Sequence, residues 1–295
     1  MSPISFKTRF APSPTGFLHI GHAASVWTVW EDAGQSPENF LLRIEDIDQT
    51  RCKPEFEQSI YEDLAWLGLS WKPPILRQSE HFKDYKNTLD TLHQKGLIYP
   101  CFCTRKEIEL EILYSATAPH GTEGLIYPGT CRHLSHSQQT EKMNASIPYA
   151  LRLDTHKAWS HLSTHQLYWH DRIKGKQETT EKLLLSSLGD PVLARKDTPA
   201  SYHLCVTHDD NLQDISLITR GKDLFFSTHL HRLLQELLSY NVPEYHHHLL
   251  LTDNHGKQFS KRNHSLTLRD LRNKGLEVKT LRNMILHGNI KELLV

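Results

Sequence analysis

Apolar and polar residues follow two different periods along the first hundred positions. Residues 4–10 read as a short strand, and the apolar positions between about 20 and 33 recur at helical spacing until Gly34. Asn39–Ile44 alternates as a second strand and runs into the charged segment Arg43-Ile44-Glu45-Asp46-Ile47-Asp48. A helix with apolar positions 56, 60, 64 and 67 follows and stops at Gly68, and another spans about 81–95 and stops at Gly96. Strands that alternate with helices of this length predict parallel pairing through crossover helices. The fold expected is therefore α/β, a Rossmann-like doubly wound parallel sheet.

From Cys101 to about Leu184 the periods break down. Positions 115–147 are rich in Ser, Thr, Gly and His without a clear repeat, and strand-like runs return only at 149–153 and 167–173. Strand and helix signals resume at Tyr202–Thr207, Ile215–Thr219 and 227–239. The organisation expected is a catalytic domain of residues 1–100 and 185–255, an inserted subdomain of 101–184, and a loop with a short helical C-terminal segment over 256–295. No internal repeat is present.

Composition narrows the function classes. The chain has 295 residues, of which 38% are hydrophobic, enough for a sizeable core. No uninterrupted apolar run approaches the roughly 20 residues of a membrane helix, and the N-terminus lacks an apolar signal core. A cytoplasmic, membrane-free protein is expected. The formal net charge is zero, but nine Lys/Arg face three Asp/Glu between Gly256 and Val295, so the rest of the chain carries the opposite excess. A basic tail on an acidic body suits a phosphate-bearing partner as well as a solvated helical face. Among 21 histidines, His246-His247-His248 leads into Leu249-Leu250-Leu251 and reads as a strand approach rather than a metal site.

Two motifs carry phosphate chemistry. Arg9-Phe10-Ala11-Pro12-Ser13-Pro14-Thr15-Gly16-Phe17-Leu18-His19-Ile20-Gly21-His22 joins a proline-stiffened turn to a His-Ile-Gly-His helix start. A glycine admits close backbone approach, free amides at a helix N-terminus face an anion, and imidazoles donate to phosphate oxygens. Lys257-Gln258-Phe259-Ser260-Lys261-Arg262, about 240 residues downstream, supplies a lysine for charge that develops as pyrophosphate leaves. The cysteines number five, an odd count spread unevenly, which points to a metal site and free thiols rather than a disulfide framework. Cys101, Cys103 and Cys131 offer three thiolates to a tetrahedral zinc, with Tyr127, His133 or His120 as the fourth ligand; on donor chemistry alone His133 is favoured. Cys52 and Cys205 lie outside the set, and Cys205 reads as a buried thiol. For an amino-acid substrate, Arg9 and Arg220 suit a carboxylate, Glu45 an ammonium and Tyr202 a hydroxyl contact. The plainer alternative is an Arg9–Glu45 ion pair at the strand ends, with Tyr202 in the core. Arg43, Asp46, Asp48 and Arg51 are read as loop neighbours.

Together, the N-terminal motif, Arg43-Ile44-Glu45-Asp46-Ile47-Asp48, Thr219-Arg220-Gly221-Lys222-Asp223-Leu224 and Phe259-Ser260-Lys261-Arg262 resemble class I glutamyl-tRNA synthetases over nearly the whole chain. The resemblance implies ATP binding at His19, Gly21, His22 and Lys261, with Mg²⁺, and L-glutamate binding at Arg9, Ala11, Ser13, Glu45, Tyr202 and Arg220. His19, His22 and Lys261 are the catalytic set. Gln258 departs from the usual first lysine of the late loop, so adenylate chemistry rests mainly on Lys261. Only 33 residues follow Arg262, too few for an anticodon-binding domain, and in this the chain resembles the glutamyl-Q tRNA(Asp) synthetases. That family activates glutamate and transfers it to queuosine in the anticodon of tRNA(Asp). Its Cys-x-Cys and Tyr-x-x-x-Cys pattern matches Cys101, Cys103, Tyr127 and Cys131, implying a structural zinc with Tyr127 as fourth ligand. A monomer is expected. The rivals are a shortened glutamyl-tRNA synthetase charging a tRNA 3′ end, a non-catalytic synthetase-like binding protein, and another nucleotidyltransferase with the same first motif.

Overall fold

Strand β1 (Thr8–Phe10) is wholly buried and pairs in parallel with β2 (Phe40–Ile44), in the register Arg9 opposite Leu41. The connection between them is α1 (Ile20–Asp32), which buries Ile20, Ala23, Val26, Trp27 and Val29 against the sheet. The chain reverses at Gly34 in the left-handed region, φ 66°, a conformation that costs glycine nothing. Helix α2 (Pro54–Trp66), opened by its proline, leads to β3 (Leu76–Arg77), parallel to β2. Helix α3 (Phe82–Gln94) follows. The computed structural model describes residues 6–114, 120–121, 124–251 and 267–287. Residues 4–5 of the expected first strand and the 257–262 motif lie outside the described residues.

Strand β4 (Ile98–Cys101) opens a second, antiparallel sheet. Then come α4 (Arg105–Tyr114), the two-residue strands β5 (His120–Gly121) and β6 (Gly124–Leu125), and α5 (His136–Asn144). Strand β7 (Ala150–Leu153) returns antiparallel to β4, and β10 (Val192–Ala194) completes the order β10-β7-β4. Between them lie α6 (Thr155–Ser160), β8 (Leu167–Asp171), β9 (Gly175–Thr179) and α7 (Glu181–Ser187). Helix α5 lies within the stretch read from sequence as lacking a period. It buries no residue, so no apolar repeat could announce it, and a capping box of Ser135 with Gln138 holds its start.

The last third builds a further, four-stranded sheet beside the first. Helix α8 (Tyr202–Leu212), β11 (Leu217–Gly221), α9 (Ser227–Leu238) and β12 (Glu244–His248) form one β-α-β unit with β11 and β12 parallel. Strand β8 pairs with β12, giving the order β11-β12-β8-β9. Two strands inside the 101–184 stretch, β8 and β9, thus belong to this sheet rather than to the inserted one. The Lys7 carbonyl accepts from the amides of Ser216 and Leu217, bringing the edge of β1 against β11. His246–His248 form the end of β12, in keeping with the expected strand approach.

Helices α10 (Leu268–Asn273) and α11 (Val278–His287) close the chain. Leu268, Leu271 and Leu281 sit in the same core as α1, β2 and α2, each contributing about 1.5–3 kcal/mol of apolar burial. Several cations of the basic tail serve this packing. Arg272 pairs with Glu62 at 2.7 Å, Arg282 with Glu31 at 2.7 Å, and Arg269 lies over the Phe17 ring. They are therefore engaged within the chain, which narrows the tail's expected role as a phosphate-binding face. No helix among the described residues is long and apolar enough to cross a membrane.

Candidate active site and cysteine cluster

A cavity of about 520 Å³ opens where β1, β2, β11 and β12 end and α1 begins, the crevice where open α/β sheets bind ligands. It is lined by Arg9, Ala11, Ser13, His19, Gly21, His22, Glu45, Tyr202 and Arg220. Nine of the ten residues singled out for amino acid and nucleotide therefore meet in one space, although they come from distant parts of the chain. Lys261 lies outside the described residues.

The start of α1 is closed by its own side chains. The Gly21 amide donates to His19 Nδ1 at 3.1 Å, and the His19 amide donates to His22 Nδ1 at 3.0 Å, a reciprocal capping box built from two imidazoles. The His22 amide donates to the His19 carbonyl. The expectation of free amides at this helix start is corrected accordingly: the Gly21 and His22 N–H groups are taken. The two rings, tilted at 45° with 3.8 Å between centroids, line the cavity instead.

Arg9 does not pair with Glu45. Its guanidinium grips Asp210 in two-point fashion, Nε to Oδ1 at 2.8 Å and Nη2 to Oδ2 at 3.2 Å. The same Asp210 Oδ1 accepts from Arg43 Nη1 at 2.8 Å, which also donates to Gln213 at 3.0 Å. Arg43 lies 3.5 Å from Glu45 and 3.9 Å from Asp209, and Asp209 is itself held by Gln78 and the Tyr85 hydroxyl. Arg43 is fully buried; burial alone would weaken its charge, but Asp210, Asp209 and Glu45 outweigh that and hold it protonated. Burial raises Asp210 as well, but Arg9 and Arg43 hold it below the usual carboxylate range. Glu45 is the odd anion. Burial, reinforced by Asp209 and Asp210 and opposed by Arg43 and Arg9, pushes it up to about 7. Two guanidiniums thus serve three carboxylates; Asp209, also raised by burial, is held by the neutral donors Gln78 and Tyr85, whereas Glu45 faces the cavity. Sequence reading missed Asp209 and Asp210; the available signal was a carboxylate pair in a helix that otherwise buries Leu204, Cys205, Val206 and Thr207.

Arg220 shows the opposite imbalance. It is buried, yet among the described residues no carboxylate lies within ion-pair distance of it. Its acceptors are neutral: His247 Nε2 from Nε at 3.2 Å, His231 Nδ1 from Nη1 at 3.2 Å, Thr228 Oγ1 from Nη2 at 2.7 Å and the Leu224 carbonyl at 3.2 Å. The Tyr202 hydroxyl stands at 3.5 Å. Burial keeps both imidazoles uncharged, His247 near 4 and His231 well below its ordinary value. His247 Nδ1 lies 2.8 Å from Asp171 Oδ2. With Nδ1–H donated to that carboxylate, Nε2 is the acceptor that Arg220 requires, which fixes the tautomer. The cavity wall therefore holds a guanidinium whose charge is matched by no carboxylate among the described residues.

The cysteine cluster lies in the inserted sheet. The sulfurs of Cys101, Cys103 and Cys131 all fall within 4.8 Å of one another, with Cys103 and Cys131 3.4 Å apart. Tetrahedral zinc–sulfur bonds of about 2.3 Å place sulfurs about 3.8 Å apart, so this spacing suits a metal ion. Gly129, at φ 92°, turns the chain so that the Tyr127 hydroxyl stands 3.5 Å from Cys103 Sγ and accepts from the Cys131 amide at 2.8 Å. Burial and the neighbouring thiols push Cys103 up to about 12, a thiolate deficit that a cation at the centre would relieve. His133 contributes no atom to the cluster, against the preference from donor chemistry. The His120 side chain lies outside the described residues. Cys205 is fully buried, as read from sequence.

Comparison with known proteins accords with this geometry. Residues 5–291 match the family described as tRNA synthetases class I (E and Q), catalytic domain. The chain belongs to this family and is a ligase of the class I aminoacyl-tRNA synthetase type. It is 39% identical over 286 residues to the glutamyl-Q tRNA(Asp) synthetase of Rhodobacter capsulatus, covering 94% of this chain and 99% of that protein. It is also 33% identical to the glutamate–tRNA ligase of Aquifex aeolicus, covering 95% of this chain and 56% of that one. Among solved structures, the glutamate tRNA ligase of Elizabethkingia meningosepticum in complex with its amino acid superposes with a TM-score of 0.75 at 25% identity, over 95% of this chain and 60% of that chain.

Proposed function

We propose that the enzyme activates L-glutamate with ATP and passes it to queuosine in the anticodon of tRNA(Asp). The observation that carries the amino-acid half is a pair of charges in one cavity: Arg220, with no carboxylate in ion-pair reach among the described residues, and Glu45, raised by burial beyond what Arg43 and Arg9 offset. A zwitterion with a second carboxylate complements both. Arg220, with Tyr202, would take the side-chain carboxylate, and Glu45 the α-ammonium. Arg9, Ala11 and Ser13 would shape the remaining wall.

His19, Gly21, His22 and Lys261 would receive ATP, with Mg²⁺ lending charge neutralisation to the phosphates. The glutamate α-carboxylate attacks the α-phosphorus, pyrophosphate leaves, and glutamyl-adenylate remains. No side chain acts as a covalent nucleophile, so positioning and electrostatics carry the rate. The division of labour we propose is a catalytic sheet built from both ends of the chain, an inserted subdomain after residue 100, and a loop and helices over 256–295. Cys101, Cys103, Cys131 and Tyr127 would hold a structural zinc that staples the inserted subdomain. A monomer working in the cytoplasm completes the reading.

Similarity across 99% of a glutamyl-Q relative supports queuosine as acceptor over a tRNA 3′ end. The deciding experiment compares glutamate transfer to tRNA(Asp) with and without queuosine. Transfer only to the modified RNA is expected; equal charging of both would refute the acceptor.

A further inference from the structure

The donors of the Arg220 guanidinium can be counted. The group carries five N–H bonds, one on Nε and two on each terminal nitrogen. Nε gives its hydrogen to His247 Nε2, and Nη2 gives its two to Thr228 Oγ1 and the Leu224 carbonyl. Nη1 gives one to His231 Nδ1. The second Nη1 hydrogen is what remains for the main cavity, which Arg220 lines together with Tyr202. The Tyr202 hydroxyl stands 3.5 Å from that nitrogen, at the limit of hydrogen-bond distance. Arg220 therefore offers a ligand one N–H and a full positive charge, not the two-point fork that suits arginine to carboxylates elsewhere. Arg9, in the same cavity, shows the contrast: two-point pairing with Asp210 sets a negative charge directly against its own.

His231 lies on α9, one turn beyond Thr228, and is 2% exposed. Arginine only donates, so His231 Nδ1 is the acceptor. The uncharged ring then carries its proton on Nε2, which stands 3.1 Å from His203 Nδ1 and donates to it. One tautomer of His231 is thus set from both sides. We infer that His231 is a positioning residue for the amino-acid site: it accepts one Nη1 hydrogen without bringing a negative charge, turns the other towards Tyr202, and leaves the guanidinium charge for the substrate. The side-chain carboxylate of glutamate then takes one N–H from Arg220 and one O–H from Tyr202, an oxygen to each. This inference rests on the proposed activation of glutamate and adds His231, with His203 behind it, to the groups that serve that site.

Three substitutions at one position separate geometry from charge. The assay is glutamate-dependent ATP–pyrophosphate exchange, with glutamate and ATP varied in turn. His231→Asn puts an amide oxygen close to the place of Nδ1 and is expected to hold the glutamate KM within about threefold. His231→Asp has nearly the same shape but sets a carboxylate against Arg220, and His231→Leu has no acceptor. Each should raise the glutamate KM about tenfold or more, the range of one hydrogen bond to a charged group. In all three variants kcat and the ATP KM should stay within about threefold, since no contact to the nucleotide is removed. Equal glutamate KM values for the Asn and Asp variants would overturn the role of His231. So would an unchanged KM in His231→Leu, or losses in kcat or in the ATP KM that match the change for glutamate. No exchange by the unaltered protein is a different result: it refutes the proposed activation itself.

Discussion

Replacing Glu45 with Gln tests the charge count of the site through stability rather than activity. Glu45 is 9% exposed and is raised from 4.5 to about 7 by burial and by Asp209 and Asp210. Because the folded value lies above the unfolded one, the folded protein keeps a proton between those two pH values that the unfolded chain has released. Stability from this group therefore falls as pH rises from about 4.5 to 7 and stays lowered above that. Full ionisation costs about 3 kcal/mol, most of which falls between pH 5 and pH 8. Glu45→Gln lacks this titration, while every other group is common to both proteins. Urea unfolding at pH 5 and pH 8 should thus show the variant gaining about 2–3 kcal/mol on the unaltered protein across that interval. Saturating L-glutamate, whose ammonium would supply the missing cation, should shrink the gain. A stability difference that is the same at both pH values would refute the reasoning.

The other predictions concern the supports of the site. Asp171→Asn removes the carboxylate that sets the His247 tautomer and so misorients the acceptor for Arg220. The KM for glutamate in pyrophosphate exchange should rise about tenfold, a loss in the range of one hydrogen bond to a charged group, while kcat changes less; an unchanged KM would show that Arg220 does not depend on His247. Cys131→Ser should lower bound zinc, measured by atomic emission, from near one per chain to well under half. Full metal retention would remove Cys131 from the ligand set.

Much of the main sheet was legible because its helices are amphipathic and end at glycines that turn left-handed. Gly34, Gly68 and Gly96 all have positive φ, at the ends foreseen for α1, α2 and α3. Helix α5 was not legible, since an element that buries nothing leaves no apolar period. The site residues Arg9, Glu45 and Arg220 could be named from motifs, but their partners could not. Asp210 stands 201 positions from Arg9, and Asp171 stands 76 from His247. Such pairings depend on which strand lies beside which, information that local patterning does not contain. The same holds for the capped start of α1, where the expected free amides proved to be bonded by the motif's own histidines.

The return of the chain at Thr267 has a consequence for the entropy of binding. Thr267 bridges His19 in antiparallel fashion, and the Leu268 amide donates to the Leu18 carbonyl at 2.8 Å. At the other end, His248–Leu251 line the main cavity. Leu251, at the main cavity, and Thr267, against His19, are thus both held beside the His-Ile-Gly-His turn. By burying Leu268 and Leu271 the closing helices fix Thr267 there, so the entropy of closing the long chain between α1 and α10 is lost at folding rather than when a ligand binds.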